Sequence, residues 1–135
     1  MSEIQEDRRG FFRHKIKSLV DFELPHDFMS AFATNIGEKG MYVETLNPLP
    51  IGTKAVVRFI LYRCDHVFEV RSTILWKIKR NQEEKLSGLT DGMGVGFDMM
   101  DEEDRQKLSD YFVLCESGEL EKEDQPDSYE SQESY

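Results

Sequence analysis

Along most of this chain apolar and polar residues alternate with a period of two, the mark of half-buried strands. From Lys15 onward, Ile16, Ser18, Val20, Phe22 and Leu24 fall on one side, and Lys15, Lys17, Asp21 and Glu23 on the other, with Leu19 the exception. Pro25-His26-Asp27 supplies a turn. A short strand near Ser30–Asn35 and another at Met41–Thr45 flank a turn containing Gly37 and Gly40, a hairpin-like arrangement. Pro48 and Pro50 then deny the backbone the donors a sheet needs, so 47–52 reads as a rigid loop. Ala55–Tyr62 is rich in β-branched and aromatic residues. Val67–Ile78 alternates most clearly, with Phe68, Val70, Ser72, Ile74, Trp76 and Ile78 sharing a face, so Phe68 and Trp76 are expected in the core. Asn81–Asp91 is a polar loop around Gly88, and a last strand begins at Gly92-Met93-Gly94-Val95-Gly96-Phe97. About six strands at this spacing predict an antiparallel barrel or sandwich.

The period changes after Asp101. Leu108, Tyr111, Phe112 and Cys115 fall at i, i+3, i+4 and i+7, the apolar stripe of a helix. Asp101 suits the N-cap, and Glu102, Glu103 and Asp104 put negative charge where the helix dipole favours it. Such a helix is expected to close one opening of the barrel or lie against its side. Three units follow: a leader at 1–14, a folded unit at 15–115 and an acidic tail at 116–135. The tail has almost no aliphatic content and is expected to be disordered.

Charge changes the picture once it is divided along the chain. The net charge of −10 over 135 residues is mainly the tail's, which holds eight acidic residues and one lysine. Residues 1–115 carry 16 basic against 19 acidic residues. That balance speaks against general nucleic-acid binding, which needs a basic face making many phosphate contacts. No run of 18 apolar residues is present, so no membrane helix is expected, and the acidic start lacks the apolar core of a secretory signal. The cytosol is the expected compartment. Cys64 and Cys115 form no metal-type spacing, and His14, His26 and His66 are scattered, so neither a disulfide nor a metal site is expected. No Ser/His/Asp or Cys/His arrangement or paired carboxylate supports catalysis, and the protein is expected not to be an enzyme. The glycines from Gly92 to Gly96 lie in a strand with no helix opening after them, so they are not a dinucleotide-binding fingerprint.

The chemistry concentrates in two short motifs. Arg8-Arg9-Gly10-Phe11-Phe12-Arg13 sets Arg9 and Arg13 in an RxxxR spacing on the leader, with Arg8 beside them. A planar guanidinium donates two bonds to phosphate oxygens or to a guanine O6/N7 edge, and its flat face stacks on a purine. Gly10 permits a bend, and Phe11 and Phe12 offer apolar area to pin the segment. Asn35-Ile36-Gly37-Glu38-Lys39-Gly40 offers an amide that can both accept from and donate to a base. Gly40 can take φ > 0 and lets a ligand approach the backbone closely. A mobile cationic segment facing a polar turn on a β-surface suits a small ligand carrying both phosphates and purine edges.

These two motifs together resemble the signature of the PilZ family, bacterial receptors for the second messenger cyclic di-GMP. The family shows RxxxR upstream of a β-barrel and then [D/N]xSxxG. Arg9, Arg13, Asn35 and Gly40 match, while Gly37 stands where the family usually has Ser. Gly40-Met41-Tyr42-Val43, Leu49-Pro50-Ile51-Gly52, Ile74-Leu75-Trp76 and Gly94-Val95-Gly96-Phe97 continue the likeness. The resemblance implies an all-β fold with a C-terminal helix, a six-stranded antiparallel barrel, of the stand-alone single-domain type. It implies a cytoplasmic receptor that binds cyclic di-GMP through Arg8, Arg9, Arg13, Asn35, Gly37 and Gly40. Such a receptor relays the signal to a protein partner in motility, polarity or polysaccharide regulation, with no further cofactor. A degenerate barrel that docks to a partner without ligand is the alternative, and Gly37 is its support. A barrel for single-stranded RNA is a third possibility, disfavoured by the charge balance.

Overall fold

In the computed structural model residues 14–117 are described. Six strands form a closed antiparallel barrel in the order β1-β2-β3-β6-β5-β4. They are β1 His14–Leu24, β2 Asp27–Ile36, β3 Gly40–Glu44, β4 Lys54–Ile60, β5 Val67–Ile78 and β6 Gly92–Met99. Two helices, α1 Gln82–Leu86 and α2 Glu102–Ser117, complete the described chain. The alternation of β1 is realised as expected: Ser18, Val20 and Phe22 are buried, their neighbours are exposed or half-buried, and Leu19 does point outward. Closing the sheet removes the unpaired edges that an open sheet would leave.

The core fills the barrel. Val20, Phe22, Ile36, Met41, Val43, Val57, Phe68, Val70, Met93 and Val95 are all fully sealed from solvent. Each such side chain stabilises the fold by about 1.5–3 kcal/mol relative to exposure. Helix α2 lies at one end and adds Leu108, Tyr111 and Phe112 to the same core. Two histidines hold it there. The His14 ring stacks on Phe112 at 4.2 Å, and His66 hydrogen-bonds to the buried carboxylate of Asp104. His14 opens β1 and His66 immediately precedes β5, so α2 covers the barrel end that also carries the β2–β3 turn.

Three details depart from expectation. The polar stretch after Asn81 is not all loop: it contains α1, begun by a capping box. The Asn81 side chain accepts from the Glu84 N–H at 2.8 Å, and the Glu84 carboxylate accepts from the Asn81 N–H at 3.0 Å. Left-handed glycines among the described residues are Gly52 and Gly88, so Gly40 serves its turn without φ > 0.

Trp76 is the third. The β5–β6 register slips between Ile74 and Trp76, so β5 no longer alternates across that step. Met93 and Val95 fill the interior, which turns Gly92, Gly94 and Gly96 outward, and the side chains lying over Gly94 and Gly96 are Trp76 and Leu75. Trp76 is therefore half-buried on the outer face and not in the core, where Phe68 does lie.

Candidate functional site

The β1–β2 and β2–β3 ladders bring the polar turn and the start of the barrel together. His14 pairs with Ile36 and Lys15 with Asn35, while Asn35 pairs on its other side with Tyr42. Both ladders slip beside Asn35: between Lys15 and Ser18 on β1, and between Ala33 and Asn35 on β2. Such bulges re-aim side chains out of the regular alternation. The Asn35 amide nitrogen has one long contact, to Thr34 Oγ1 at 3.4 Å, and its oxygen accepts no hydrogen bond among the described residues. Most of its hydrogen-bonding capacity is unused among the described residues.

The turn itself is rigid. Gly37 N–H donates to the Gly40 carbonyl at 2.8 Å, and Phe97 N–H donates to the Lys39 carbonyl at 2.8 Å, which ties the turn to β6. Gly37 and Gly40 are buried and Glu38 and Lys39 exposed. Asn35, Gly37 and Gly40 thus sit in one hairpin end. Arg8, Arg9 and Arg13 lie outside the described residues. Arg13 directly precedes His14, however, and each residue extends a chain by at most ~3.6 Å. The residue to which Arg13 is bonded is thus the one that pairs with Ile36.

Sequence reasoning missed a second component. Tyr42 stacks on Trp76 with ring centroids 5.5 Å apart and planes 22° from parallel. The pair bridges β3 and β5 across β6, because Gly92 and Gly94 have no side chains to obstruct it: a Cβ at Gly94 would run into the Trp76 ring, and one at Gly92 into the Tyr42 hydroxyl. Lys15, Asn35, Tyr42, Gly94 and Trp76 consequently follow one another across five strands. At about 4.8 Å per strand, Asn35 and Trp76 are separated by roughly 14 Å. The signal was present in sequence as alternate glycines in one strand, Gly92 and Gly94, with the aromatic residues Tyr42 and Trp76 on the strands beside it, a pattern of rings filling the space above glycines.

Electrostatics support this wall from the side. Burial raises the Tyr42 phenol above its ordinary range, and the nearby Arg80 guanidinium opposes that shift. Arg80 is itself fixed by donating from Nε to the Thr90 carbonyl at 3.0 Å and lying 3.8 Å from Glu84. Asp91 is almost sealed from solvent and accepts from the Arg80 backbone N–H at 2.7 Å. That bond, with Lys79 at 3.3 Å and Lys85 at 3.8 Å, holds the Asp91 carboxyl below its ordinary range. No cluster of His, Cys, Asp and Glu among the described residues could hold a metal ion. No helix among them is long and apolar enough to cross a membrane.

Comparison with known proteins fits this geometry. The family model described as the PilZ domain matches residues 7–113, a span that includes both motifs. A solved structure, that of the Bacillus subtilis Inhibitor of motility (MotI/DgrA), superimposes with a TM-score of 0.65 at 15% sequence identity. The alignment covers 78% of this chain and 49% of that one, so this chain spans about half its length. At that identity the likeness speaks for the fold. No curated protein matches the chain.

Proposed function

The chain belongs to the PilZ domain family, and from that membership we propose that it is a cytoplasmic receptor for cyclic di-GMP that passes the signal to a protein partner. One observation carries the proposal. The β1–β2 register sets Lys15 opposite Asn35 and His14 opposite Ile36, so the segment bearing Arg9 and Arg13 joins the barrel beside the Asn35–Gly40 turn.

The chemistry follows from what the ligand demands. Each phosphodiester carries one negative charge, and each guanine presents O6 and N7 as adjacent acceptors. Arg9 and Arg13 bind one or the other bidentately and stack on the purine face, with Arg8 adding positive charge. Asn35 bonds a guanine edge with an amide whose side-chain contact among the described residues is the long one to Thr34 Oγ1. Gly37 and Gly40 keep the turn low enough for close approach. The Tyr42–Trp76 pair gives the outer wall apolar ring area on the same row. Closing of the segment before His14 over the ligand then alters the surface that a partner reads. MotI/DgrA is named as an inhibitor of motility, and motility is the output this likeness favours for the present chain.

Gly37 supports a second reading, a barrel that has lost its ligand and docks to a partner directly. A serine hydroxyl at this position would supply one hydrogen bond worth about 0.5–3 kcal/mol, between about twofold and a hundredfold in affinity. Calorimetric titration with cyclic di-GMP separates the two readings. Saturable binding that disappears in Arg9→Ala and Arg13→Ala is the expected result. No heat and no thermal shift at high nucleotide concentration would leave the docking module in its place.

A further inference from the structure

Centred on β1 and β4, with β1 opposite β6 in the closed barrel, the outer surface carries an apolar stripe that is not part of the core. Phe32 pairs with Leu19, Leu19 lies beside Ile60 one step beyond the Val20–Phe59 pair, and Ile60 pairs with Val67. These four side chains cross β2, β1, β4 and β5 in a continuous row and are 45%, 54%, 54% and 56% exposed, respectively. Scattered single apolar residues on a surface need no explanation, but a contiguous row marks an interaction site. A shallow groove of about 630 Å³ runs along it, lined among others by Lys17, Leu19, Asp21, Arg58 and Ile60.

The charge pattern of β1 identifies what covers the stripe. Outward-facing residues read Lys15, Lys17, Leu19, Asp21, Glu23, which reverses sign about Leu19. A two-fold axis lying along the stripe sends each strand onto its own copy in the opposite direction. Leu19 then meets Leu19 of a second copy, Lys17 faces Asp21, and Lys15 faces Glu23. Both carboxylates are already oriented, Asp21 by the Ser30 hydroxyl at 2.8 Å and Glu23 by Arg58 at 2.8 Å. Like-charged encounters fall at the Val67 end of the stripe, where Asp65, just before β5, faces Glu69 and Arg63 faces Arg71, and Glu69 is held by Arg58 at 2.9 Å. A heterologous partner would require no such antisymmetry; an isologous contact requires a self-complementary patch.

We propose that this face is a two-fold interface between two copies of the chain, centred on Leu19 and Ile60. Sedimentation velocity of the full-length protein, from micromolar to millimolar concentration at low salt, tests it. The wild type is expected to dimerise. Leu19→Asp, at an exposed position, is expected to raise the dimer dissociation constant by more than about tenfold, because the change occurs twice in the interface centre. Lys17→Glu is expected to weaken the dimer, and Lys17→Glu combined with Asp21→Lys to restore it, since the swap rebuilds the same pairs reversed. Circular dichroism and the thermal midpoint establish that each variant is folded. A protein that stays monomeric throughout, as when a different macromolecule takes the stripe, overturns the proposal. So does a dimer that survives Leu19→Asp, or a folded charge swap that fails to restore association.

Discussion

His14 pairs with Ile36 across the β1–β2 ladder, so the first residue of the barrel lies beside the residue that leads into the Gly37–Gly40 turn. Arg13, more than twenty positions before Ile36 in sequence, is therefore bonded to the residue that pairs with it.

Gly37 is the natural place to adjust that site. Gly37→Ser is expected to tighten cyclic di-GMP binding by between about twofold and a hundredfold, the range of one added hydrogen bond. Asn35→Ala is expected to weaken it over the same range. Titration calorimetry on both variants reads the two effects, and a folded Asn35→Ala protein with unchanged affinity would remove Asn35 from the site.

The aromatic wall depends on the absence of a side chain at position 94. Gly94→Ala drives a methyl group into the Trp76 ring, and overpacking of this kind costs about 1–3 kcal/mol. A lower thermal midpoint together with a shifted tryptophan emission is expected. Trp76 is the chain's one tryptophan, so the emission reports this contact directly.

Asp91 makes stability depend on pH in the acid range. Its carboxyl is held below the ordinary 3.8, first by the Arg80 backbone N–H and then by Lys79 and Lys85. The depressed value means that the unfolded chain binds the proton more readily. Its stabilising contribution is therefore full above the unfolded-state pKa and disappears as pH falls through the lower folded-state value. Asp91→Asn is expected to lower the thermal midpoint at neutral pH and to make the loss on acidification less steep. Thermal melts across the acid range check both.

Helix α2 is latched by a buried polar contact as well as by its apolar stripe. His66→Ala leaves the Asp104 carboxylate buried without its main partner, retaining among the described residues the long contact from Glu69 N–H at 3.5 Å. The expected loss is about 1–3 kcal/mol, measured by denaturant unfolding. Hydrogen exchange is expected to rise chiefly along 102–117, since that segment loses its anchor.

Much of the fold was legible because the physics that forms it is local. Every strand buries one face against a single core, so period-two patterning located β1 and β5 closely, β-branched and aromatic content located β4, and the i, i+3, i+4, i+7 stripe located α2. Helix α1 escaped because it is five residues long and buries nothing, leaving the Asn81–Glu84 capping box as its one signal. Alternation alone puts Trp76 on the wrong face for a different reason. A register slip after Ile74 reverses the alternation, and that slip is a property of the β5–β6 pairing and not of β5 alone. In the site, residue types and spacing singled out Asn35, Gly37 and Gly40. The bulges on either side of Asn35 and the Tyr42–Trp76 wall depend on which strands meet, which no single segment encodes. Arg8, Arg9 and Arg13 rest on sequence and connectivity.

A residue-resolved nuclear magnetic resonance titration with cyclic di-GMP tests the joint site most directly. The amide signals of Arg9, Arg13, Asn35, Gly37 and Gly40 and the Trp76 indole N–H are expected to move together with one shared dissociation constant. Signals of the arginine segment that stay fixed while the turn responds, or a turn that stays fixed throughout, would contradict the account.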